Sequence, residues 1–341
     1  QGTLMGANAL AGVIALQSAS PEQRVAALSA GAETYGGYRL GVQVGGPLSE
    51  VTSARFALQR YESDGFIDNR WLHRSDTNAR DELTARAAVR WQSNEHLLET
   101  ALYYTHIDNG YDAFSLDNTR DTLSDEPGED DLTLKAARIQ WQGPLGPFTS
   151  MLQLSHADSE TLYSYDEDWS FVGIAPGWEY QSFDEYRRDR EMTSLEWRIQ
   201  PAGTGETAWI LGTFLRRHSE ALSREYSYLP GPFSSTIETD TGAIFGEVNH
   251  ALTDRVSGFI GARLERREST YRDSAAVNAP FEHDYWTGRA GLKWTYASGH
   301  QTYITLSRGA RAGGANASLL ASIDALPELE QNKVSGLSIF E

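Results

Sequence analysis

The sequence predicts an all-β protein, built as a transmembrane antiparallel β-barrel. Three observations favour this fold class. Segments of about 9–13 residues alternate apolar and polar side chains, which is the pattern of a strand with one apolar face. Short and long connections follow one another in turn, and aromatic residues gather near the ends of the segments. Together these features are typical of barrels that cross an outer membrane.

The alternation is clearest in residues 256–265. One side of this segment is apolar and the other largely polar: Val256, Gly258, Ile260, Ala262 and Leu264 against Ser257, Phe259, Gly261, Arg263 and Glu265. About fourteen segments of this kind are predicted as strands. Their approximate spans are 23–33, 38–47, 51–61, 82–93, 96–106, 132–142, 147–158, 190–200, 207–219, 241–251, 255–267, 285–296, 300–309 and 331–341.

The connections between these strands differ in length in a regular way. Short turns rich in Gly, Pro, Asn and Asp lie near 45–50, 93–95, 143–146, 202–205, 252–254 and 297–299. Long connections lie between them, near 62–81, 107–131, 159–189, 220–240, 268–284 and 310–330. Periplasmic turns of outer-membrane barrels are short and extracellular loops are long, so the pattern orients the barrel. The alternative is a soluble β-sandwich, which gives no reason for this asymmetry.

Composition excludes several classes of protein. The net charge of −18 argues against a nucleic-acid partner, whose phosphates would be repelled. The absence of cysteine excludes a disulfide scaffold and cysteine-ligated zinc. No apolar run approaches the roughly 18 residues that a membrane-spanning helix needs.

Several motifs resemble landmarks of one known family, in the family's order. The first residues read QGTLMGANALAGVI, from Gln1 to Ile14, and resemble the end of the plug domain of TonB-dependent receptors. Later segments resemble landmarks of the same family's barrel: Tyr35–Tyr38, Gly45–Ser49, Asp64–Asn69, Asn78–Glu82, Phe245–Val248, Leu252–Asp254, Ser307–Gly309 and Ala312–Gly314. The resemblance extends over essentially the whole chain.

The resemblance implies a domain organisation. Residues 1–20 are expected to be the C-terminal remnant of a plug domain, and residues 21–341 part of the transmembrane β-barrel. The family's barrel has twenty-two strands, of which about fourteen are predicted here. We therefore expect the chain to be part of a longer protein. A fragment and a smaller closed barrel are the alternatives.

The resemblance also implies a function in the cell outer membrane: uptake of a scarce nutrient complex, energised by the TonB complex, with a ferric siderophore as the leading cargo. The alternative is a passive porin or diffusion channel, against which the segment Gln1–Ile14 argues. No nucleophile or carboxylate motif with a partner histidine indicates an enzyme, so no catalytic residues are predicted. Lipid and lipopolysaccharide of the outer membrane are the other expected partners.

Two groups of residues are candidate ligand contacts in the extracellular loops. Aromatic side chains within 159–189 offer surfaces that stack on a ring of a ligand, and cationic side chains at or beyond the end of that segment attract an anionic complex. The candidates are Tyr163, Tyr165, Trp169, Trp178, Tyr180, Arg187, Arg188 and Arg216. Two other interpretations stay open: the aromatic residues pack on each other, and the arginines bind lipopolysaccharide phosphate or pair with acidic neighbours.

Neither a cofactor nor a metal site is predicted. The acidic segment 107–131 raises the possibility of a calcium site, because calcium prefers several carboxylate and carbonyl oxygens. The spacing is not that of an EF-hand, and a solvated acidic loop is the favoured interpretation. The histidines show no paired pattern that would indicate haem.

Overall fold

A computed structural model of the chain describes residues 2–6, 14, 17–203, 205–315 and 339–340. The elements of the described residues are, in chain order, α1 (Gly2–Met5), β1 (Val25–Ala32), β2 (Tyr38–Pro47), β3 (Thr52–Ser63), β4 (Asp68–Asn69), β5 (Arg80–Ser93), β6 (His96–Tyr111), β7 (Asp121–Thr122), β8 (Gly128–Leu145), β9 (Phe148–Asp166), β10 (Phe183–Pro201), β11 (Thr207–Tyr226), β12 (Phe233–Thr253), β13 (Val256–Asp273), β14 (Asn278–Ala297), β15 (His300–Arg308), β16 (Gly314–Ala315) and β17 (Ile339–Phe340).

One antiparallel sheet contains thirteen of these strands, and each strand pairs with its neighbours in the chain. The order is β1-β2-β3-β5-β6-β8-β9-β10-β11-β12-β13-β14-β15. The predicted all-β class and the antiparallel up-and-down arrangement are confirmed. Of the predicted strand at 331–341, only Ile339–Phe340 lies within the described residues, where it pairs with β16.

The sheet has an apolar outer face and a polar inner face. On β13, Ile260 and Leu264 are 64% and 56% exposed, whereas Arg263 and Glu265, which alternate with them, are buried. The predicted alternation of residues 256–265 is thus confirmed. On the outer face, the apolar side chains of this strand end at Leu264 and charged ones begin at Arg266. The apolar stretch of β13, residues 256–264, has about the length that crosses a bilayer as a tilted strand.

The strands extend further toward the long connections than the sequence predicts. The predicted loops at 220–240 and 268–284 are mostly strand, leaving short connections at 227–232 and 274–277. Likewise, Tyr163 and Tyr165 lie on β9 and Arg187 and Arg188 on β10, rather than in a loop, whereas Arg216 lies on β11 within its predicted strand. Above the apolar stretch both faces of the sheet are polar, so the sequence loses its apolar alternation while backbone pairing continues.

Three longer connections stand at this upper end: the second loop (64–79), the third loop (112–127) and the fourth loop (167–182). Within the second and third loops, β4 and β7 pair in parallel. The amide of Asn69, 1% exposed, donates to Asp112 Oδ2 at 2.9 Å and to the carbonyl of Ser124 at 2.8 Å. Thr122 Oγ1 donates to the same Asp112 oxygen at 2.8 Å. Buried polar groups that satisfy each other hold these two loops in one arrangement.

The short helix α1 lies against the inner face of β12, β13 and β14. Thr3 is 1% exposed, and a Cβ on Gly261 of β13 would come within 3.0 Å of the Thr3 methyl. Gly6 follows with φ of +87° beside Glu265, a backbone conformation that glycine adopts without strain. The described part of Gln1–Ile14 therefore begins inside the curve of the sheet. No helix among the described residues has the length and apolarity to cross a bilayer.

Candidate functional site

The upper ends of β9 and β10 carry an aromatic wall on the inner face of the sheet. Tyr163 and Tyr186 are direct cross-strand partners, and Tyr165 lies two residues further along β9 on the same face. The rings of Tyr163 and Tyr165 are 5.7 Å apart between centroids, and those of Tyr163 and Tyr186 are 6.5 Å apart. Regular alternation therefore brings two of the predicted aromatic residues together without any loop geometry.

The third and fourth loops add rings to this wall. Phe114 stacks on Trp169 with centroids 5.0 Å apart and an interplanar angle of 12°. Tyr111, at the end of β6, contacts Tyr163 edge-on at 5.1 Å. We call these six residues the aromatic cluster: Tyr111, Phe114, Tyr163, Tyr165, Trp169 and Tyr186. The rings do pack on each other, and Trp169 is still 38% exposed.

A charged pair lies beside these tyrosines on the same face of the sheet. Arg224 donates from Nε to Asp184 Oδ1 at 2.8 Å and from Nη2 to Asp184 Oδ2 at 2.7 Å. Tyr186 donates its hydroxyl to Asp184 Oδ2 at 2.8 Å. Burial, and this bond to a carboxylate, raise the pKa of Tyr186 to about 12, so the phenol stays protonated at neutral pH. Arg224 also covers the rings of Tyr186 and Tyr226, at 5.0 and 4.7 Å.

Sequence reasoning missed Asp184 and Arg224. Neither belongs to a motif, and their contact depends on the register of β10 against β11. The acidic and basic run from Asp184 to Arg190 was visible, but its division between two faces was not.

The three predicted arginines lie in different places. Arg188 faces inward, with its guanidinium 5.0 Å from the Tyr186 ring and its Nε 3.9 Å from Glu220. Arg187 belongs to the outer face, is paired with Glu185 at 2.7 Å, and has a side chain 60% exposed. Arg216 faces inward, lower on β11. The structure thus groups Arg188 with the aromatic cluster and separates Arg187 from it.

Trp178 and Tyr180 lie toward the tip of the fourth loop. Their rings stack on each other at 6.0 Å, and they are 39% and 41% exposed. The same loop is tied to the second loop by Phe171, whose ring stacks on Trp71 at 3.8 Å and 5°. This pair joins two loops across the upper end of the sheet.

At the base of the fourth loop, Asp166 acts as a cap. Its Oδ1 accepts the backbone N–H groups of Asp168 and Trp169, each at 3.0 Å. The residue is 6% exposed. Burial, together with the charge of Asp168, raises the pKa of Asp166 to about 7, although its hydrogen bonds act in the opposite direction. Trp169 therefore owes its position to a carboxyl group that titrates near neutrality.

Among the described residues, no group of three or more His, Cys, Asp or Glu side chains is arranged to hold a metal ion. The two ends of the acidic segment 107–131 lie on β6 and β8, and its middle is the third loop. Asp131 on β8 lies opposite Asp108 on β6. Burial and then the charge of Asp108 raise the pKa of Asp131 to about 6. Asp108 and Asp131 thus face each other as like charges at the upper end of two neighbouring strands.

Lower on the inner face, charged residues pair within the wall. Arg289 donates to Glu247 from Nε at 2.7 Å and Nη2 at 2.8 Å. Arg263 donates to Glu265 at 2.6 Å, and both side chains are about 5% exposed. The inward-facing arginines and glutamates predicted on β13 thus satisfy one another beside α1.

The family described as "TonB dependent receptor-like, beta-barrel" matches residues 21–330. Among solved structures, the chain is similar to the ferric yersiniabactin uptake receptor FyuA from Yersinia pestis, with a TM-score of 0.76 and 16% identity over 93% of this chain and 51% of that one.

Two further structures show the same fold. The ferripyoverdine receptor of the outer membrane of Pseudomonas aeruginosa gives a TM-score of 0.65 at 13% identity, over 84% of this chain and 42% of that one. The copper transporter OprC gives 0.61 at 11% identity, over 84% and 46%. The chain spans about half the length of these proteins. At such identities the likeness establishes the fold, and the cargo named for each belongs to that protein.

Proposed function

The chain belongs to the TonB-dependent receptor family, whose barrels lie in the outer membrane, and from that premise we propose that it takes part in energised uptake of a ferric siderophore. The observation that carries this proposal is the aromatic cluster with Arg188 and Arg224, gathered on the inner face at the upper end of the sheet. Aromatic faces there suit a complex that carries aromatic or chelating rings, and Arg188 supplies positive charge beside them, since Arg224 is already paired with Asp184.

The geometry of the cluster supports binding of a large ligand rather than a small solute. Its rings come from β6, β9, β10 and two loops, so they form an extended aromatic surface at the upper end of the sheet. Trp169 presents a partly exposed face on that surface, and Trp178 and Tyr180 lie nearer the loop tip. We assign these side chains to first contact with the ligand, with Arg188 following deeper in.

We further propose that residues 1–20 are the end of a plug domain and residues 21–341 part of the barrel. The position of α1 inside the curve of the sheet supports this division. A plug that fills the lumen requires a partner that moves it, and the TonB complex is the partner proposed for that step.

On the outer face, a row of charged side chains lies directly above the apolar stretch. Arg217 pairs with Asp240 at 3.5 Å, and Arg266 pairs with Glu268 at 2.8 Å and Glu282 at 2.6 Å. We propose that this row and Arg187 meet the head groups of lipopolysaccharide. Their exposure and their height on the strands support that partner.

The proposed function is tested by iron-55 uptake in iron-starved cells. Cells with and without the intact gene receive catecholate, phenolate-type and hydroxamate siderophores in separate assays. We expect uptake of one class to require the gene and to stop when the TonB complex is removed or a protonophore is added.

Two results would overturn the proposal. Uptake that survives removal of the TonB complex would indicate a passive channel. Loss of copper accumulation, with iron uptake unchanged for every siderophore, would assign a metal cargo without a siderophore.

A further inference from the structure

The second, third and fourth loops contact one another in all three pairs, and we call residues 64–79, 112–127 and 167–182 together the loop triangle. The second and third loops share the parallel pairing of β4 with β7. In it, Asp68 and Arg70 donate backbone N–H groups to the carbonyls of Arg120 and Thr122, each at 2.9 Å. The side chain of Asn69, between those two donors, also donates to the third loop. This side of the triangle is therefore a small piece of sheet.

The third loop is bonded in turn to the fourth. Asp125 donates its backbone N–H to the carbonyl of Ser170 at 3.0 Å, and its Oδ2 accepts the N–H of Val172 at 3.3 Å. Glu126 Oε2 accepts a hydrogen bond from Gln181 Nε2 at 2.6 Å. These bonds engage both the first and the last part of the fourth loop.

The stack of Trp71 on Phe171 closes the third side of the triangle, between the second and fourth loops. Moving any one loop away therefore breaks its contacts with both of the others. The interior of the triangle is polar and closed to solvent, since Thr122, Ser124 and Ser170 are each 1% exposed. A buried polar group that loses its partner is costly. Segments that share such contacts open together as one cooperative unit.

Two rings of the aromatic cluster belong to the loop triangle. Phe114 lies in the third loop and Trp169 in the fourth, and they stack with centroids 5.0 Å apart. The second loop contributes no ring to the cluster, but it is joined to both loops that do, through Asn69 and Trp71. The placement of the Phe114 and Trp169 rings therefore depends on contacts of a loop that lies outside the cluster.

We propose that the second, third and fourth loops open and close as a single cooperative unit, in which Asn69 and Thr122 are positioning residues for Phe114 and Trp169. Both positioning side chains are 1% exposed, so neither is available to touch a ligand. Both donate to the same oxygen, Asp112 Oδ2, and thereby hold the second and third loops in one arrangement. The inference concerns the folded loops alone and does not require that the protein transports a siderophore.

Hydrogen exchange of the intact protein in detergent, resolved by mass spectrometry of peptides, tests the cooperative unit. Thr122→Val keeps the shape of the side chain and removes the hydroxyl that donates to Asp112. We expect amide exchange to accelerate about fivefold in all three loops, the distant segment 167–182 included, which is the effect of one lost hydrogen bond. The turn at 274–277, outside the loop triangle, should exchange as in the wild type.

The third loop supplies a matched control for this variant. Thr119 is exposed, and its hydroxyl donates to Asp117 of the same loop at 2.8 Å. Thr119→Val should therefore change the exchange of residues 167–182 by less than about twofold. Equal acceleration of that segment by Thr119→Val and Thr122→Val would overturn the inference. Acceleration by Thr122→Val that is confined to residues 64–79 and 112–127 would also overturn it, because the fourth loop would then open independently.

A second variant tests the triangle from its opposite side and serves if Thr122→Val fails to fold. Trp71 is 46% exposed, so Trp71→Ala removes its stack on Phe171 without opening a core. It should accelerate exchange of the third loop, residues 112–127, about fivefold. Trp178→Ala is the control, because Trp178 is similarly exposed and stacks on Tyr180 within its own loop. Wild-type exchange of residues 112–127 in Trp71→Ala, or equal acceleration in both variants, would contradict the cooperative unit. Failure of siderophore uptake would leave these results unaffected.

Discussion

Arg224 on β11 donates two parallel hydrogen bonds to Asp184 on β10, and the side chain of Asp184 is 1% exposed. The hydroxyl of Tyr186 donates to the same carboxylate, and the guanidinium of Arg224 lies over the Tyr186 ring. A two-point contact of this kind fixes direction as well as distance.

Asp184→Asn should therefore destabilise the upper wall. The substitution removes the negative charge that accepts hydrogen bonds from Arg224 and Tyr186. It also leaves one of their buried donors without a good acceptor, which should lower the free energy of unfolding by about 1–3 kcal/mol. The free energy of unfolding, measured by urea titration in bilayers, checks the expectation. Glu185→Gln is the matched control, because the adjacent Glu185 faces outward toward the exposed Arg187 and should cost less than about 1 kcal/mol. Equal losses for the two variants would contradict the role assigned to Asp184.

The proposed ligand contact at Trp169 predicts a change in fluorescence. A ferric complex bound at the aromatic cluster should quench Trp169, so Trp169→Phe should remove most of the ligand-induced quenching. Trp169→Ala should weaken binding about fivefold, since stacking on an aromatic face contributes on the order of 1 kcal/mol. Trp197→Phe serves as control, because Trp197 lies on the outer face, 40% exposed, with its indole N–H on Ser150. Quenching that survives Trp169→Phe and disappears with Trp197→Phe would place the ligand elsewhere.

The fourth loop should depend on pH through Asp166. Burial raises the pKa of this carboxyl from 3.8 to about 7, so the folded loop holds the proton more tightly than the unfolded chain. The resulting stabilisation is complete below pH 3.8 and is lost as the pH rises to about 7. Amide exchange of residues 167–182, corrected for intrinsic rates, should slow as the pH falls from 8 to 5. Asp166→Asn should abolish that dependence, and protection that increases toward alkaline pH would refute the mechanism.

The two faces of β9 predict opposite responses to one charged substitution. Leu154 is 46% exposed on the apolar outer face, and Ser155 follows it on the inner face. Leu154→Arg should cost about 2–4 kcal/mol of folding free energy in a bilayer, because a lipid-facing charge is poorly solvated. Ser155→Arg should cost much less. Refolding titrations in lipid vesicles measure both, and a penalty on the inner position alone would reverse the assignment of faces.

The sequence was sufficient to predict the position and orientation of a strand wherever that strand has one lipid-facing side. Ile260 and Leu264 alternate with Arg263 and Glu265, and that pattern predicted both the strand and its orientation. It was insufficient above the bilayer, because Arg187 and Arg188 are alike in chemistry yet belong to opposite faces. No periodic apolar signal survives there to distinguish them.

The candidate site shows the same division. Tyr163, Tyr165 and Trp169 were predicted as candidate ligand contacts, but their grouping with Tyr111 and Phe114 depends on a fold of the third loop that no local pattern encodes. Asp184 and Arg224 lie 40 residues apart in the chain and meet only through strand register. Composition and residue spacing do not predict contacts of that kind.

The upper connections of the described sheet differ in length from one part of the sheet to the other. Three long loops lie at the upper ends of β3 to β10. Asn69 joins the second loop to the third, and Trp71 joins the second loop to the fourth. Along β11 to β14 the strands end in the brief turns at 227–232 and 274–277. A bulky molecule that arrives from outside therefore meets long loops above β3 to β10 and short turns above β11 to β14. The aromatic cluster lies at the boundary between these two parts, because β10, which carries Tyr186, pairs with β11.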